Sequence, residues 1–323
     1  MSESALIFIK ALNGSGGANT TQSIEDIASI SQPYWVHIDA NHPDATECIR
    51  KVAPEIDEYT LQGLFTEVAR PRALQLEHGF LIILRGINHN EGEEPEDMIA
   101  VRLWITATRI VSIRYRRSRA VMQVADSLDQ NIGPKTIGDV FAQICSSLLS
   151  FIENAINNLY DKLDDLEDCV LDNPNRQLRK DISEARKSAI LLRRYITPQK
   201  EAINQVRYAD DLDWLSAKNL RRIQEAQDSL LRNIEDLDTI RERTQVVKDE
   251  LTNSLSDKLN RNLYLLSVIT AVFLPLGFLT GLFGINIGGM PGVENSSAFT
   301  VFCVSLAVVI AVQVTLFKFL KWF

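Results

Sequence analysis

The sequence predicts an α+β membrane protein, with an N-terminal α/β domain, a long helical middle and two membrane-spanning helices at the C-terminal end. Three observations carry this. Two uninterrupted apolar runs lie close to the C-terminus. No glycine occurs between Gly138 and Gly277. Nine of the 15 glycines and six of the 10 prolines fall at or before Gly138, where they punctuate short apolar stretches. With 323 residues, 46% hydrophobic and 24% charged, the chain is long enough for two or three domains, and its composition excludes disorder and a collagen-like repeat. A net charge of -8 argues against a nucleic-acid binder that neutralises phosphates over a broad face. The four cysteines, Cys48, Cys145, Cys169 and Cys303, are widely spaced, as expected of reduced thiols rather than a disulfide framework or zinc finger.

Toward the N-terminus, the stretches 5–12 (ALIFIKAL), 34–40 (YWVHIDA), 73–87 (ALQLEHGFLIILRGI) and 98–116 (MIAVRLWITATRIVSIRYR) read as strands. Ala45 to Val52 and Glu55 to Leu64 read as short helices between them. Asn13-Gly14-Ser15-Gly16-Gly17 lacks the lysine of a phosphate cradle and reads as a turn. The N-terminal patch before Lys10 is too short for the apolar region of a signal peptide.

The glycine-free interval must be mostly helix. Ile152, Ile156, Leu159, Leu163, Leu166 and Val170 alternate three- and four-residue steps, and Asp172-Asn173-Pro174-Asn175 breaks that stripe as a turn. A second helix begins near Arg176. A third, from about Leu220, carries Ile223, Leu230, Leu237 and Leu251 at multiples of seven and meets no breaker before the first apolar run. One helix from Leu220 to Phe283 would be roughly 95 Å long.

The two apolar runs are Leu263 to Phe283 and Ala298 to Phe317, both without a charge. Each has the length of about 20 residues that a helix needs to cross about 30 Å of hydrocarbon. Lys258 and Arg261 precede the first, Lys318 and Lys321 follow the second, and the connection holds no Lys or Arg. Basic flanks stay inside, so both termini are expected in the cytoplasm. Ahead of the first span, 32 basic and 41 acidic residues leave the part expected in the cytoplasm at about -9, attractive to a cation.

Enzyme signatures are absent: there is no GxSxG, Walker loop or HExxH. His37-Ile-Asp39-Ala-Asn-His42 brings two imidazoles and a carboxylate close in sequence, but reads better as a strand running into a His-Pro turn. Asp161, Asp164, Asp165, Asp168 and Asp172 recur on the face opposite the leucines, and form either a collecting surface for divalent cations or a solvated, salt-bridged face. An antiparallel hairpin could set Arg176, Arg179, Lys180, Arg186 and Lys187 of the next helix against them. The end of the first span is rich in signal. Six glycines lie between Gly277 and Gly292, and Asn286 stands at the outer rim, where a ring of amide oxygens could hold a hydrated divalent ion without stripping it.

Two C-terminal spans, a stalk helix running into the first and the Gly284-Ile285-Asn286 triplet at its outer end resemble the CorA family of divalent-cation transporters. The stretch FLPLGFLTGLFGINIGGMPG, with Arg70-Pro71-Arg72 and Leu84-Arg85-Gly86-Ile87-Asn88, looks like its ZntB zinc-transporter branch. The resemblance implies a funnel-shaped homopentamer in a bacterial inner membrane, with an α/β/α cytoplasmic domain. It implies that Gly284, Ile285 and Asn286 form the entrance, and that Asn260, Leu263, Leu266, Thr270, Leu274 and Gly277 face the pore. Expected partners are membrane lipid, other copies of the chain and the transported divalent cation, with no cofactor and no nucleic acid.

The expected organisation is a cytoplasmic α/β domain over 1–135, cytoplasmic helices over 136–262, spans at 263–285 and 298–317 joined by a periplasmic loop at 286–297, and a basic tail at 318–323. Two departures from the magnesium branch stand out: Ile285 replaces its Met, and Gly292 stands where an acid follows Met-Pro. No His or Cys lies in the first span, so resemblance rather than a soft-ligand set favours zinc. Neither span contains an acid or a histidine, so any proton coupling would act through co-migrating water or hydronium, or through cytoplasmic acids. A magnesium or cobalt channel, and a membrane-anchored helical scaffold, are the alternatives.

Overall fold

The computed structural model describes residues 4–66, 69–209, 212–285 and 295–319. The chain divides into two compact units, Met1–Asp249 and Glu250–Phe323. The first contains a seven-stranded sheet built from β1 (Leu6–Leu12), β2 (Ala18–Thr21), β3 (Tyr34–Asp39), β4 (Arg72–Leu76), β5 (Gly79–Gly86), β6 (Ile99–Ile105) and β7 (Arg109–Arg114). Their order across the sheet is β2-β1-β3-β7-β6-β5-β4. Every neighbouring pair is antiparallel except β3 and β7, which run parallel from Tyr34 opposite Arg109 to Asp39 opposite Arg114.

The two longest apolar stretches are each a hairpin rather than one strand. β1, β3 and β6 are buried along nearly their whole length because the sheet is covered on both sides, which blurs the alternation that would otherwise mark turns. On one side lie α1 (Ala45–Val52) and α2 (Glu58–Phe65), whose Ile49, Val52, Leu61 and Leu64 pack with Ile9, Val36, Ile38 and Val111. On the other side lie α3 (Arg119–Asp129), α4 (Ile137–Asp172) and α5 (Leu178–Arg207), so the layers are α/β/α. α2 starts at Glu58 rather than Glu55 because Asp57 caps it, accepting the Thr60 N–H at 2.6 Å. The sequence pattern marks neither α3 nor β2. α3 is capped by Ser118 and carries the salt-bridge partner of Lys10, a lysine buried within β1.

The turn at residues 13–17 is held by the Asn13 side chain, which accepts the N–H groups of Ser15 and Gly17. At Gly14 and Gly16 the backbone has φ of 73° and 109°, which favours glycine. α4 begins close against the segment before α6 (Ala217–Gly284): a Cβ on Gly138 would collide with the Trp214 carbonyl oxygen. Gly138→Ala should therefore destabilise the first unit by about 1–3 kcal/mol, read as a lower denaturant midpoint of the full-length protein.

His37 and His42 do not converge. His37 is buried in β3, its ring stacked on Phe8 and its Nδ1 2.7 Å from Ser112 Oγ, which also accepts the Trp35 indole N–H at 2.6 Å. Burial, reinforced by the Arg114 charge, lowers the His37 pKa to about 3. An unfolded histidine protonates near 6.5, so the unfolded chain takes the proton first as pH falls. The contribution of the neutral ring is complete above pH 6.5 and declines toward pH 3. Denaturant midpoints followed by tryptophan fluorescence should fall across that window, and His37→Gln should flatten the dependence; an unchanged slope would contradict this.

Candidate functional site

In the second unit, the last part of α6 runs antiparallel to α7 (Ala298–Phe319), with Phe283 packed on Phe302 at 5.3 Å between ring centroids and Gln313 against Ala271. Both helices are long and apolar enough to cross a membrane. Contact with α7 divides the surface of α6. Val268, Ala271, Val272, Pro275, Leu276 and Leu279 recur at steps of three and four and are half-buried. The matching stripe on α7 is Ala298, Phe302, Leu306, Val309, Gln313 and Phe317.

Leu263, Leu266, Thr270, Leu274 and Gly277 occupy the opposite side of α6, Asn260 stands in the fully exposed stretch before it, and all six are exposed. Leu263, Leu266 and Leu274 are 52%, 60% and 65% exposed, and Leu265, Phe273 and Phe278 of the same helix are exposed to a similar degree. Nothing stands within 4 Å of a Cβ placed on Gly277, Gly281 or Gly284. Gly284 ends the helix, and Ile285 follows it exposed. Asn286 lies outside the described residues, as do Gly292 and the rest of 286–294.

The hydroxyls of the span are satisfied locally. Thr270 Oγ1 donates to the Leu266 carbonyl at 2.8 Å, and Ser267 Oγ donates to Leu263 at the same distance. Thr270 therefore spends its proton inside the helix and keeps its oxygen lone pairs on the uncovered side. That oxygen can accept from the water shell of a cation, whereas the neighbouring leucines can only exclude water.

The acidic row of α4 is exposed throughout, at Asp161, Asp164, Asp165, Asp168 and Asp172. Its ion-pair partner differs from the hairpin expectation. Asp164 and Glu167 both bind Arg243 of α6 at 2.7 Å, and these two acids hold the Arg243 pKa well above the usual guanidinium value. Among the described residues, none of Arg176, Arg179, Lys180, Arg186 and Lys187 forms a salt bridge with the row; Lys180 pairs with Glu184 on its own helix, and Arg186 donates to Gln245. No group of three or more His, Cys, Asp or Glu among the described residues is arranged to hold a metal. A cleft of about 1030 Å³ in the first unit is lined by His89, Arg117, Arg119 and several amides, with Asp126 as its carboxylate, a poor lining for a divalent cation.

A family model described as CorA-like Mg2+ transporter protein matches residues 31–319. The chain belongs to the CorA family. It is accordingly a divalent-cation transporter of membranes and not an enzyme. Among its relatives, the zinc transport protein ZntB of Yersinia enterocolitica is 35% identical over 316 residues, covering 98% of this chain and 95% of that one. Of solved structures, the full-length CmaX protein superposes with a TM-score of 0.84 at 33% identity, over 100% of this chain and 99% of that one. The CorA magnesium transporter of Methanocaldococcus jannaschii shares the fold with a TM-score of 0.79 at 18% identity, over 98% of both chains. The α/β domain, the long helix and the two apolar C-terminal helices agree with the CorA fold.

Sequence reasoning missed Arg243 and gave Gln313 no role. The signal for Gln313 was an amide in a span otherwise without a strongly polar side chain. Because the Arg243 side chain is one-third exposed, Arg243→Gln should cost less than about 1 kcal/mol, a loss that shrinks at high salt. Thermal unfolding at two ionic strengths checks this.

Proposed function

We propose that this CorA-family member transports zinc through a pathway lined by the uncovered face of α6. The observation that carries the proposal is the division of that helix. α7 covers Val268, Ala271, Pro275 and Leu279, and the side bearing Leu263, Leu266, Thr270, Leu274 and Gly277 is left open. Copies arranged about an axis would turn these faces inward, and the family resemblance supports five, in a bacterial inner membrane with both termini cytoplasmic. Glycines with nothing over them allow the close approach that such packing needs.

Such a lining is mostly apolar, with oxygen at Thr270 and, nearer the cytoplasm, at Asn260. It suits an ion that keeps its water, because a bare divalent cation would meet a prohibitive desolvation cost. Entrance then falls to Gly284, Ile285 and Asn286, where amide oxygens from several copies act on the hydration shell. The ZntB name of relatives at 35% identity supports zinc, and the magnesium description of the family model favours the second reading, a magnesium or cobalt channel. The acidic face at Asp161, Asp164, Asp165, Asp168 and Asp172 serves in this proposal as a diffuse collector, with Asp164 engaged by Arg243.

In proteoliposomes, Asn286→Ala should lower zinc flux about tenfold or more while the oligomer keeps its mass. Unchanged flux would favour a scaffold. Running zinc, magnesium, cobalt, nickel and cadmium through the same vesicles tests the cargo: magnesium moving faster than zinc would replace the first reading with the second. An imposed pH difference that leaves zinc flux unmoved would remove proton coupling.

A further inference from the structure

Pro275 sits inside α6 and has no backbone N–H, so the Ala271 carbonyl four residues before it lacks a partner in its own helical ladder. Hydrocarbon supplies no substitute for that lost bond. The Gln313 side chain reaches across from α7 and donates its Nε2 to this carbonyl at 3.4 Å. Gln313 is the most polar residue of a span that holds no charge from Ala298 to Phe317, and it lies within the stripe that faces α6. Proline in one span and a long amide in the other meet at one oxygen atom.

We infer that Gln313 is a positioning residue: it supplies the hydrogen bond that Pro275 removes and so fixes α7 on the back of α6. Ala271 adjoins Thr270, so the contact that holds one face sets the angular position of the other. Its consequence for transport rests on the proposal that the uncovered face lines the pathway. A shorter polar side chain would not serve. Ser305 and Thr315 of α7 donate to their own helix, at Phe302 and Ala311, and do not reach a neighbour. Gln313 Oε1 is buried without a hydrogen-bond partner among the described residues, so the interaction that accounts for an amide at this depth is the one made by Nε2.

A double-mutant cycle on the full-length protein in lipid tests the inference. Gln313→Leu removes the donor, and Pro275→Ala restores an N–H that can close on Ala271. Gln313→Leu alone should shift the folded-to-unfolded balance about three- to thirtyfold in thermal unfolding. It should also lower maximal zinc flux, with the half-saturating zinc concentration unchanged. In the Pro275→Ala background the same substitution should move neither quantity. If Gln313→Leu fails to assemble but the double variant assembles, the inference is equally supported. Equal cost in both backgrounds, or none in either, overturns it. Coupling in stability with flux unmoved overturns the positioning role and locates the failure in the pathway proposal rather than in the hydrogen bond.

Discussion

Hydrocarbon cannot hydrogen-bond to a peptide group, and that constraint governs the membrane unit. It requires helices where the sequence is apolar and sends the hydroxyls of Ser267, Thr270, Ser305 and Thr315 back to carbonyls of their own helices. It also makes a proline inside a span conspicuous, because the carbonyl that proline strands must be met from elsewhere. Once α7 covers the side of α6 that includes Ala271 and Pro275, the other side is defined by default. Leucines, a phenylalanine, a threonine and glycines are left there, uncovered by α7.

Much of the fold was legible because composition alone sets it. The two spans needed only length and lack of charge, and one helix from about Leu220 to Phe283, observed as Ala217–Gly284, followed from the absence of a breaker before the first apolar run. The sheet was harder. Strands buried on both faces read as unbroken apolar runs, so the turns at residues 77–78 and 106–108 were hidden inside long stretches. β2 escaped because Ala-Asn-Thr-Thr is short and polar, and takes its conformation from pairing with β1 rather than from its own preference.

The chemistry of the first unit depended on partners far apart in sequence. Asp164 and Arg243 are 79 positions apart, and local charge patterning on a hairpin pointed to nearer arginines. The segment from His37 to His42 was read as a strand running into a turn rather than as a ligand set, but the partners of the buried ring, Phe8 and Ser112, come from other strands and were not legible. Leu263, Leu266, Thr270, Leu274 and Gly277 of α6 were named through family resemblance alone, because their spacing by itself marks only an apolar helix. The role of Gln313 required knowing which carbonyl lay opposite it.

The margins of the sheet carry a consequence for self-association. β2 and β4 are its two outermost strands, both short, and both bear polar side chains: Asn19, Thr20 and Thr21 on one, Arg72 and Gln75 on the other. Abbreviated, hydrophilic borders of this kind discourage strand-to-strand joining with another polypeptide. Crowding of neighbouring molecules therefore does not invite runaway cross-β polymerisation through the first unit.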